Sequence, residues 1–520
     1  MKKIIIAIAV LLNCTFIMAQ TEFDALKYVQ TDISGTARYM SMAGAFGALG
    51  GDASSIKDNP AGLGIYRSSE LVGTLNVMMQ KSSANWNGVN TNNDLYKTGA
   101  NNFSVIVALP TWRNENETNG LLSSNFSFSY NRIKDFNRSL NVKSGTSSSS
   151  MTDYMAYFTD KIPSADLTYT SSYEPFDNIN VPWISELAYE GGLMKEHFDA
   201  NGKTDFWESL LNLNEKVTPS YYLSEKGYID EYSLGWAGNF SNIFYFGATA
   251  NIKAINYSAI SKYSELFDGG GSMNLMDSVY TNGTGINLNI GTIYRPNDFL
   301  RFGLSLHTPT VFMLNDNYYS KLNFDSSVKG YIRTPGGTSA YQLQSPLQIN
   351  ASAAFIVGKK GIISAEYDYS NYTGIRLMSE KGDSQDFSDE NQGMNDMLND
   401  VSTIKIGAEY KLTNNFSLRA GYANSSNATK NTAAKLMRFN TVRTDTEYFL
   451  NNSTNYLSAG FGYREANWFI DLAYMNKIMD ESFYPYNTNK IAESNPNLAV
   501  SPASVITTNS NIIVTVGLKF

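Results

Sequence analysis

Two histidines are the side chains of this 520-residue chain best suited to acid–base or metal chemistry. His197 lies far from His307 in the sequence, whereas Ser305 and Asp316 stand close to His307 and would complete the residue types of a serine hydrolase. No nucleophile motif surrounds Ser305, and the single cysteine, Cys14, stands among the first twenty residues. Scattered histidines without cysteines favour no metal site. We therefore predict no enzyme, no catalytic residue, no metal and no cofactor, with a hydrolase and haem uptake as distant alternatives.

The first nineteen residues have the pattern of a cleaved secretory signal. A basic start precedes the apolar run from Ile4 to Leu12, and Ala19 ends the pattern on a small residue. That run is too short to cross a bilayer, which requires ~20 residues. A lipoprotein signal would need a small residue before Cys14, and Asn13 is a poor one. We predict a signal peptide over 1–19 and an exported, cysteine-free mature chain in a Gram-negative envelope.

Composition narrows the class of protein further. Removal of the two lysines of the signal leaves 38 basic against 48 acidic residues, a net charge of −10, which argues against nucleic acid as a partner. Aromatic residues make up 13% and charged residues only 17%, and no second apolar run approaches the length of a spanning helix. This composition in an exported chain favours a β-barrel and a neutral or apolar partner.

Apolar residues at every second position indicate where the strands lie. In the last segment Ile512, Val514, Val516 and Leu518 share one face, and the chain ends on Phe520 with the same parity. The pattern predicts an all-β transmembrane antiparallel barrel of about 14 strands. The predicted strands lie near 70–80, 102–112, 122–143, 228–238, 243–260, 284–295, 299–311, 341–357, 361–377, 402–412, 416–424, 455–464, 467–477 and 504–520.

Connections of alternating length predict the orientation of this barrel. The connections after even-numbered strands are short, apart from the intermediate turn 113–121 that follows the second strand, and those after odd-numbered strands are long. Tight periplasmic turns and long extracellular loops place both termini in the periplasm. A soluble sandwich would not keep this alternation and would have polar outward faces. The predicted long loops are 81–101, 144–227, 261–283, 312–340, 378–401, 425–454 and 478–503.

The largest predicted loop, 144–227, is expected to be partly helical. Apolar residues stand at helical spacing from Tyr154, after Pro182 and again from Phe206 to Leu211. We interpret Trp183, Leu187, Phe206 and Trp207 as candidates for external capture of an apolar ligand. The open alternative is that these residues bury one another as a small loop core.

Residues 20–67 contain no clear strand and precede the predicted barrel at 68–520. Between Gly44 and Gly64, glycines and alanines alternate, so this part has too few large apolar side chains to form a core alone. A ring of about fourteen strands leaves an interior that has to be filled by water or by a plug. We place the segment in the lumen; the alternative is a disordered tail, for which the segment is too apolar.

The motifs of this segment resemble a known family. Gly35 to Ala48, Gly51 to Ile56 and Asn59 to Leu63 are similar to the long-chain fatty acid and aromatic hydrocarbon transporters of outer membranes, in the variants found in Bacteroidetes. The resemblance implies passive uptake of a hydrophobic small molecule through a barrel with an N-terminal hatch. It also implies a monomer in contact with outer-membrane lipid, and recognition by the barrel assembly machinery through the strand that ends at Phe520. No nucleic acid is expected.

The resemblance assigns roles to single residues of the hatch. Asn59, Pro60, Ala61 and Gly62 are expected to form a structural hinge or wedge for gating, without chemistry of their own. Met40, Met42, Phe46 and Leu49 are candidates to line a ligand pocket beside it. A channel for hydrophobic compounds predicts a continuous apolar path from the long loop to this hatch. A barrel that serves protein export or surface attachment is the alternative, and the identity of the ligand stays open.

The third strand is where the family has a lateral opening. Phe126, Phe128 and Tyr130 define an outward face that Arg132, Lys134 and Arg138 would continue, although a charge facing lipid at mid-membrane costs roughly 2–4 kcal/mol. We expect the strand to have left the membrane by Arg132, and a bulge that reverses the phase is the alternative. The absence of glycine and proline over 122–140 is evidence against a kink.

Overall fold

A computed structural model describes residues 20–111, 118–212, 215–324, 331–358, 360–438 and 441–520. The predicted signal peptide, 1–19, and most of the predicted turn 113–121 lie outside the described residues.

Fourteen antiparallel strands form a closed barrel, as predicted. Each strand pairs with the next in the chain, and the last pairs with the first from Lys519–Glu70 to Ser504–Asn85. The strands are β1 Glu70–Trp86, β2 Val89–Pro110, β3 Leu121–Asp135 continued by Arg138–Lys143, β4 Val217–Phe240, β5 Phe244–Phe267, β6 Ser272–Tyr294, β7 Leu300–His307 continued by Val311–Phe324, β8 Gly337–Gln344 continued by Gln348–Val357, β9 Gly361–Ser370 continued by Arg376–Ser379, β10 Val401–Lys411, β11 Phe416–Ser425, β12 Tyr448–Arg464, β13 Trp468–Tyr484 and β14 Ala503–Lys519. The two-residue strand Ile332–Arg333 extends the sheet at β7.

The alternation of side chains separates a lipid face from a lumenal face. On β14, Ile512, Val514, Val516 and Leu518 are 37–50% exposed, whereas Thr515 between them is fully buried towards the lumen. Successive residues of a strand point to opposite faces, so the apolar parity read from the sequence is the outward one.

Two predicted long loops, 81–101 and 261–283, are wrong because strands occupy them, and strands also occupy both ends of a third, 312–340. β1 and β2 stay paired up to Trp86 and Val89, and only Asn87 and Gly88, both with positive φ, turn the chain. β5 and β6 likewise pair up to Leu266 and Ser272. The long-loop ends of these strands have lost the apolar parity on which the prediction depended, since exposed polar residues such as Lys81 and Asn85 stand on the outward face.

Short helices occur before the barrel and in its long connections. The segment before β1 contains α1 Glu22–Val29, α2 Ala37–Ser41 and the 3₁₀ turns Ala53–Lys57 and Pro60–Ile65. The connections contain α3 Met151–Thr159, α4 Ser164–Leu167, α5 Trp183–Glu190, α6 Ser388–Met397 and α7 Asn489–Ser494. In the described ranges, none of the helices combines the length and the apolar character needed to span a membrane.

Candidate functional site in the barrel lumen

Residues 20–66, called the lumenal segment below, lie inside the ring of strands. Its hydrogen bonds reach strands on all sides of the barrel, which only an enclosed segment can do. These bonds are Ala37 N to Thr515 Oγ1 of β14 (2.7 Å), Arg38 Nε to Glu409 Oε2 of β10 (2.9 Å), Ala43 N to Ser458 Oγ of β12 (3.1 Å), Gly47 N to Glu366 Oε2 of β9 (2.6 Å), Asn59 Nδ2 to Thr292 O of β6 (3.1 Å) and Asn125 Nδ2 of β3 to Leu63 O (2.8 Å).

Glycines on the lumenal face of the wall admit the backbone of this segment. A Cβ at Gly421 of β11 would lie 2.3 Å from the carbonyl carbon of Met42, and one at Gly247 of β5 would lie 2.5 Å from that of Pro60. At Gly303 of β7 the nearest atom would be the carbonyl oxygen of Gly47, again at 2.5 Å. Any side chain at these wall glycines would therefore push the lumenal segment away from the wall.

The tetrapeptide Asn59-Pro60-Ala61-Gly62 contributes hydrogen bonds and close packing. Asn59 Nδ2 donates to Gly47 O at 2.7 Å, and its Oδ1 accepts from Ala61 N at 3.1 Å, which caps the 3₁₀ turn that begins at Pro60. A Cβ at Gly62 would lie 2.9 Å from the Cα of Gly50. These four residues hold the 3₁₀ turn that begins at Pro60 against Gly47 and Gly50, and they carry no titratable group.

Met40, Met42, Phe46 and Leu49 are packing residues in this conformation. Each is at most 3% exposed, within a cluster that includes alanines and Met475 from the wall. They are not among the described residues that line the lumenal cavity. Their expected role in lining a ligand pocket would require the segment to move.

A cavity of about 360 Å³ lies beside α1 and is lined by charged residues of both signs. Several cations in its wall face an aromatic ring and pair with a carboxylate. Lys27 Nζ lies 4.5 Å from the ring centroid of Tyr257 and 3.6 Å from Glu225. The Arg138 guanidinium lies 4.6 Å from the ring centroid of Phe449 and 2.5 Å from Glu481. The lining also contains apolar residues such as Phe136 and Leu223, so this cavity is mixed in character rather than uniformly apolar. A continuous apolar path from the long loop to the lumenal segment stays a prediction.

The wall is interrupted beside this cavity, between β2 and β3. Their backbone pairing runs from Pro110–Ser123 to Asn102–Asn131 and, in the described residues, ends there. β2 has an extra residue, Asn101, at this height, and a second irregularity lies between Arg132 and Lys134 of β3.

The second irregularity corrects the expected course of β3. Arg132 keeps the outward parity and bonds Asp230 Oδ1 through Nε at 2.9 Å. After the bulge Lys134 faces Asp32 of the lumenal segment, at 3.5 Å. A phase reversal thus turns Lys134 inward, whereas Arg132, before the bulge, stays on the outward parity with Asp230 as its partner. It occurs without glycine or proline, so their absence did not exclude an irregular strand.

The residues predicted for capture mostly form a core of the largest loop. Trp183, Leu187 and Trp207 are 6%, 0% and 7% exposed, and only Phe206 is open, at 45%. Phe206 stacks on His197 with 4.4 Å between ring centroids. The expected helix at 206–211 is wrong, because Thr204–Ser209 pairs as a strand with Met194–Phe198.

The candidate hydrolase residues are not arranged as a triad. Ser305 Oγ donates to Asp58 O at 2.6 Å, and His307 Nε2 lies 2.8 Å from the same carbonyl oxygen. Asp316 instead accepts from Thr281 Oγ1 at 2.6 Å. The described part of the chain contains no group of three histidine, cysteine or acidic residues placed to hold a metal ion.

Comparison with known proteins settles the family. Residues 14–500 match the family model described as outer membrane protein transport protein (OMPP1/FadL/TodX). The chain belongs to this family. It is thus a β-barrel protein of a family of outer-membrane transporters for hydrophobic compounds.

A solved structure of low sequence identity shares the fold, and a second is reported with it. A FadL homologue of Pseudomonas aeruginosa is 12% identical, with a TM-score of 0.53 over 95% of this chain and 99% of that chain. The Pseudomonas putida toluene transporter TodX is 11% identical, with a TM-score of 0.49 over 94% and 99%. Among curated protein sequences none matches.

Proposed function

We propose that the protein carries hydrophobic small molecules passively through the outer membrane, with the lumenal segment as a hatch and the β2–β3 interruption as a lateral exit. The single observation that carries this proposal is the end of the β2–β3 backbone pairing at Asn102 and Asn131. Lys134, Phe136 and Asn137, beyond this point on β3, line the lumenal cavity. An apolar molecule that leaves sideways enters the bilayer, the phase it prefers, without crossing water.

Arg132 is placed to close this exit. Its Nη1 lies 3.8 Å from the position that a Cβ at Gly99 of β2 would take, so the guanidinium reaches across the interruption. Asp230 and the ring of Tyr228, with 4.5 Å between guanidinium carbon and ring centroid, hold the side chain there. A ligand would have to displace side chains, Arg132 among them, rather than break a ladder of backbone hydrogen bonds.

The orientation and the partners are part of the same proposal. In this orientation the long loops are extracellular and both termini are periplasmic. The cavity would then lie on the extracellular side of the glycine-rich stretch from Gly44 to Gly64. The lipid face of β14, which ends at Phe520, would serve recognition by the barrel assembly machinery, and the barrel would act as a monomer.

Uptake by whole cells tests the proposal. Cells that produce the protein should accumulate radiolabelled oleate or toluene faster than cells without it. If the two kinds of cell take up oleate at the same rate and toluene at the same rate, transport is refuted. The exit is tested with Gly99→Leu, which should slow uptake by filling the interruption. Gly73→Leu is the matched control, since a Cβ at Gly73 of β1 meets no atom within 4 Å. Equal uptake by both variants would refute the lateral exit.

A further inference from the structure

A row of cations crosses the outward face of the wall near its long-loop end. Each member of the row stands directly opposite the next one on the neighbouring strand: Lys262 of β5, Met276 of β6, Lys321 of β7 and Arg333 of the short strand beside β7. Lys262 and Arg333 are exposed, and Lys321 is half-buried. In the described part of the chain, none of these three cations forms an ion pair.

This end of the wall separates charges by sign. Over the described stretches of β4 to β7, the outward positions hold lysines and neutral residues and no carboxylate; these stretches are 217–226, 258–267, 272–281 and 315–324. Their carboxylates point inward, where Glu225 pairs with Lys27 and Asp277 accepts a bond from Ser320. The whole chain has 48 acidic against 40 basic residues, so an outward face whose only charges are positive does not follow from composition.

The pair Lys321 and Arg333 is unfavourable for the sheet by itself. Like charges directly opposite each other on neighbouring strands destabilise the pairing. Tyrosine rings hold both cations in place, since the guanidinium carbon of Arg333 lies 4.5 Å from the ring centroid of Tyr319 and Lys321 Nζ lies 4.7 Å from that of Tyr331. A cation over a ring face keeps its N–H groups available to a second ligand. Two fixed positive charges thus face the surroundings of the barrel, where an anion with several oxygen acceptors would neutralise them.

The row lies well beyond the belt of outward apolar residues. Met313, 63% exposed, is the last aliphatic residue on the outward face of β7 before the row, and Lys321 follows eight residues later. Eight residues span about 26 Å along a strand, or ~20 Å along the axis of a barrel with strands tilted by about 40°. At that height outside the hydrocarbon, the outer leaflet of a Gram-negative outer membrane presents the phosphorylated core sugars of lipopolysaccharide.

We propose that Lys262, Lys321 and Arg333 bind phosphate groups on the sugars of a lipopolysaccharide molecule, with the exposed ring of Tyr331 packed against a sugar. The inference depends on the proposed orientation, in which this end of the barrel is extracellular, and not on the transported molecule. The site lies on β5 to β7, on a different part of the wall from the β2–β3 interruption. It fastens a glycolipid to the part of the barrel that stands above the hydrocarbon.

Binding of fluorescently labelled lipopolysaccharide to the purified, delipidated protein in detergent tests this assignment. Arg333→Gln should weaken binding about tenfold, the scale of one charge-assisted hydrogen bond. Lys321→Glu should weaken it about a hundredfold, because it removes one contact and gives Arg333 a carboxylate partner. Lys81→Gln is the matched control, an exposed outward lysine of β1 that stands opposite Asp94, and should leave the affinity unchanged. Lipopolysaccharide freed of phosphate should bind the wild type as weakly as the intact lipid binds Lys321→Glu.

Three results would overturn the inference. The first is equal affinity of Lys321→Glu and the wild type for intact lipopolysaccharide, and the second is equal affinity of the wild type for the intact and the dephosphorylated lipid. The third is displacement of the lipid by millimolar inorganic phosphate, which would make this a site for the free anion. Arg333→Gln supplies an independent result if Lys321→Glu does not fold. Cellular uptake is not among these readouts, so loss of this site leaves the transport proposal standing, and absent uptake leaves the site standing.

Discussion

Replacement of Gly421 by alanine should unseat the lumenal segment. The new methyl group would lie 2.3 Å from the Met42 carbonyl carbon and 2.5 Å from Ala43 N, both backbone atoms. Relief to an ordinary contact of roughly 3.5 Å requires the segment to move by about 1 Å. A move of that size stretches the Ala43 N to Ser458 Oγ bond, now 3.1 Å long.

The energetic cost follows from these two contacts. Overpacking of a tight interior costs about 1–3 kcal/mol, and a weakened hydrogen bond adds about 1 kcal/mol. The sum is about 2–4 kcal/mol, and since each 1.4 kcal/mol is a factor of ten, the fraction of molecules with an unseated segment should rise about thirty- to seven-hundredfold. Gly407→Ala should have a smaller effect, because its Cβ would meet the Met42 carbonyl oxygen at 2.7 Å.

Hydrogen exchange followed by mass spectrometry measures this directly. Peptides that cover 37–66 should lose protection in the order Gly421→Ala, Gly407→Ala, wild type, whereas peptides of β11 should change little. Gly73→Ala is the control, with open space around the added methyl group. If Gly421→Ala exchanges like Gly73→Ala, the wall glycines do not seat the segment and the reasoning is refuted.

Three further predictions concern single buried groups. Burial raises the pKa of Glu186 in α5 to about 8. The loop should therefore lose stability as the pH rises from about 4.5 towards 8, by up to about 1.4 kcal/mol per pH unit. Proteolysis of the loop should be faster at pH 9 than at pH 6, and E186Q should abolish this difference in rate. Arg419→Leu removes the 2.5 Å partner of the buried Asp471 carboxylate, while Glu409 keeps Arg38 at 2.9 Å. The substitution should cost about 3 kcal/mol, measured as a lower unfolding temperature in heat-modifiability gels, and an unchanged unfolding temperature would be the contrary result. Asn59→Ala removes two donated bonds and a cap and should destabilise the segment by about 1–3 kcal/mol, measured by exchange over 47–66; wild-type exchange rates would contradict it.

The barrel was predictable because its signal is local. The outward parity of Ile512, Val514 and Val516 depends only on contact with lipid, so each strand could be recognised by itself. The alternation of apolar and polar residues ends where both faces of a strand carry polar residues. For this reason the ends of β1 and β2 near Asn87 have the sequence pattern of a loop. Inward glycines such as Gly407 and Gly421 are a second pattern, which the count of apolar residues passes over. They stand where a small residue is unexpected and mark the contact with the lumenal segment.

The cavity was not predictable, since its chemistry joins residues that are distant in the chain. Lys134 and Lys477 meet at Asp32 only because the ring closes and because a bulge reverses the phase of β3. Period-two counting assigns Lys134 to the lipid face. The loop core of Trp183 and Leu187 was left open between capture and packing, and burial of both side chains favours packing.

The closing seam between β14 and β1 lies next to the lumenal segment in the chain. The segment precedes β1 directly, and its backbone packs against the glycines of β5, β7 and β11 on the lumenal face. We therefore expect the strands to close around the segment during assembly. Substitutions that disturb it should then lower the yield of closed barrels.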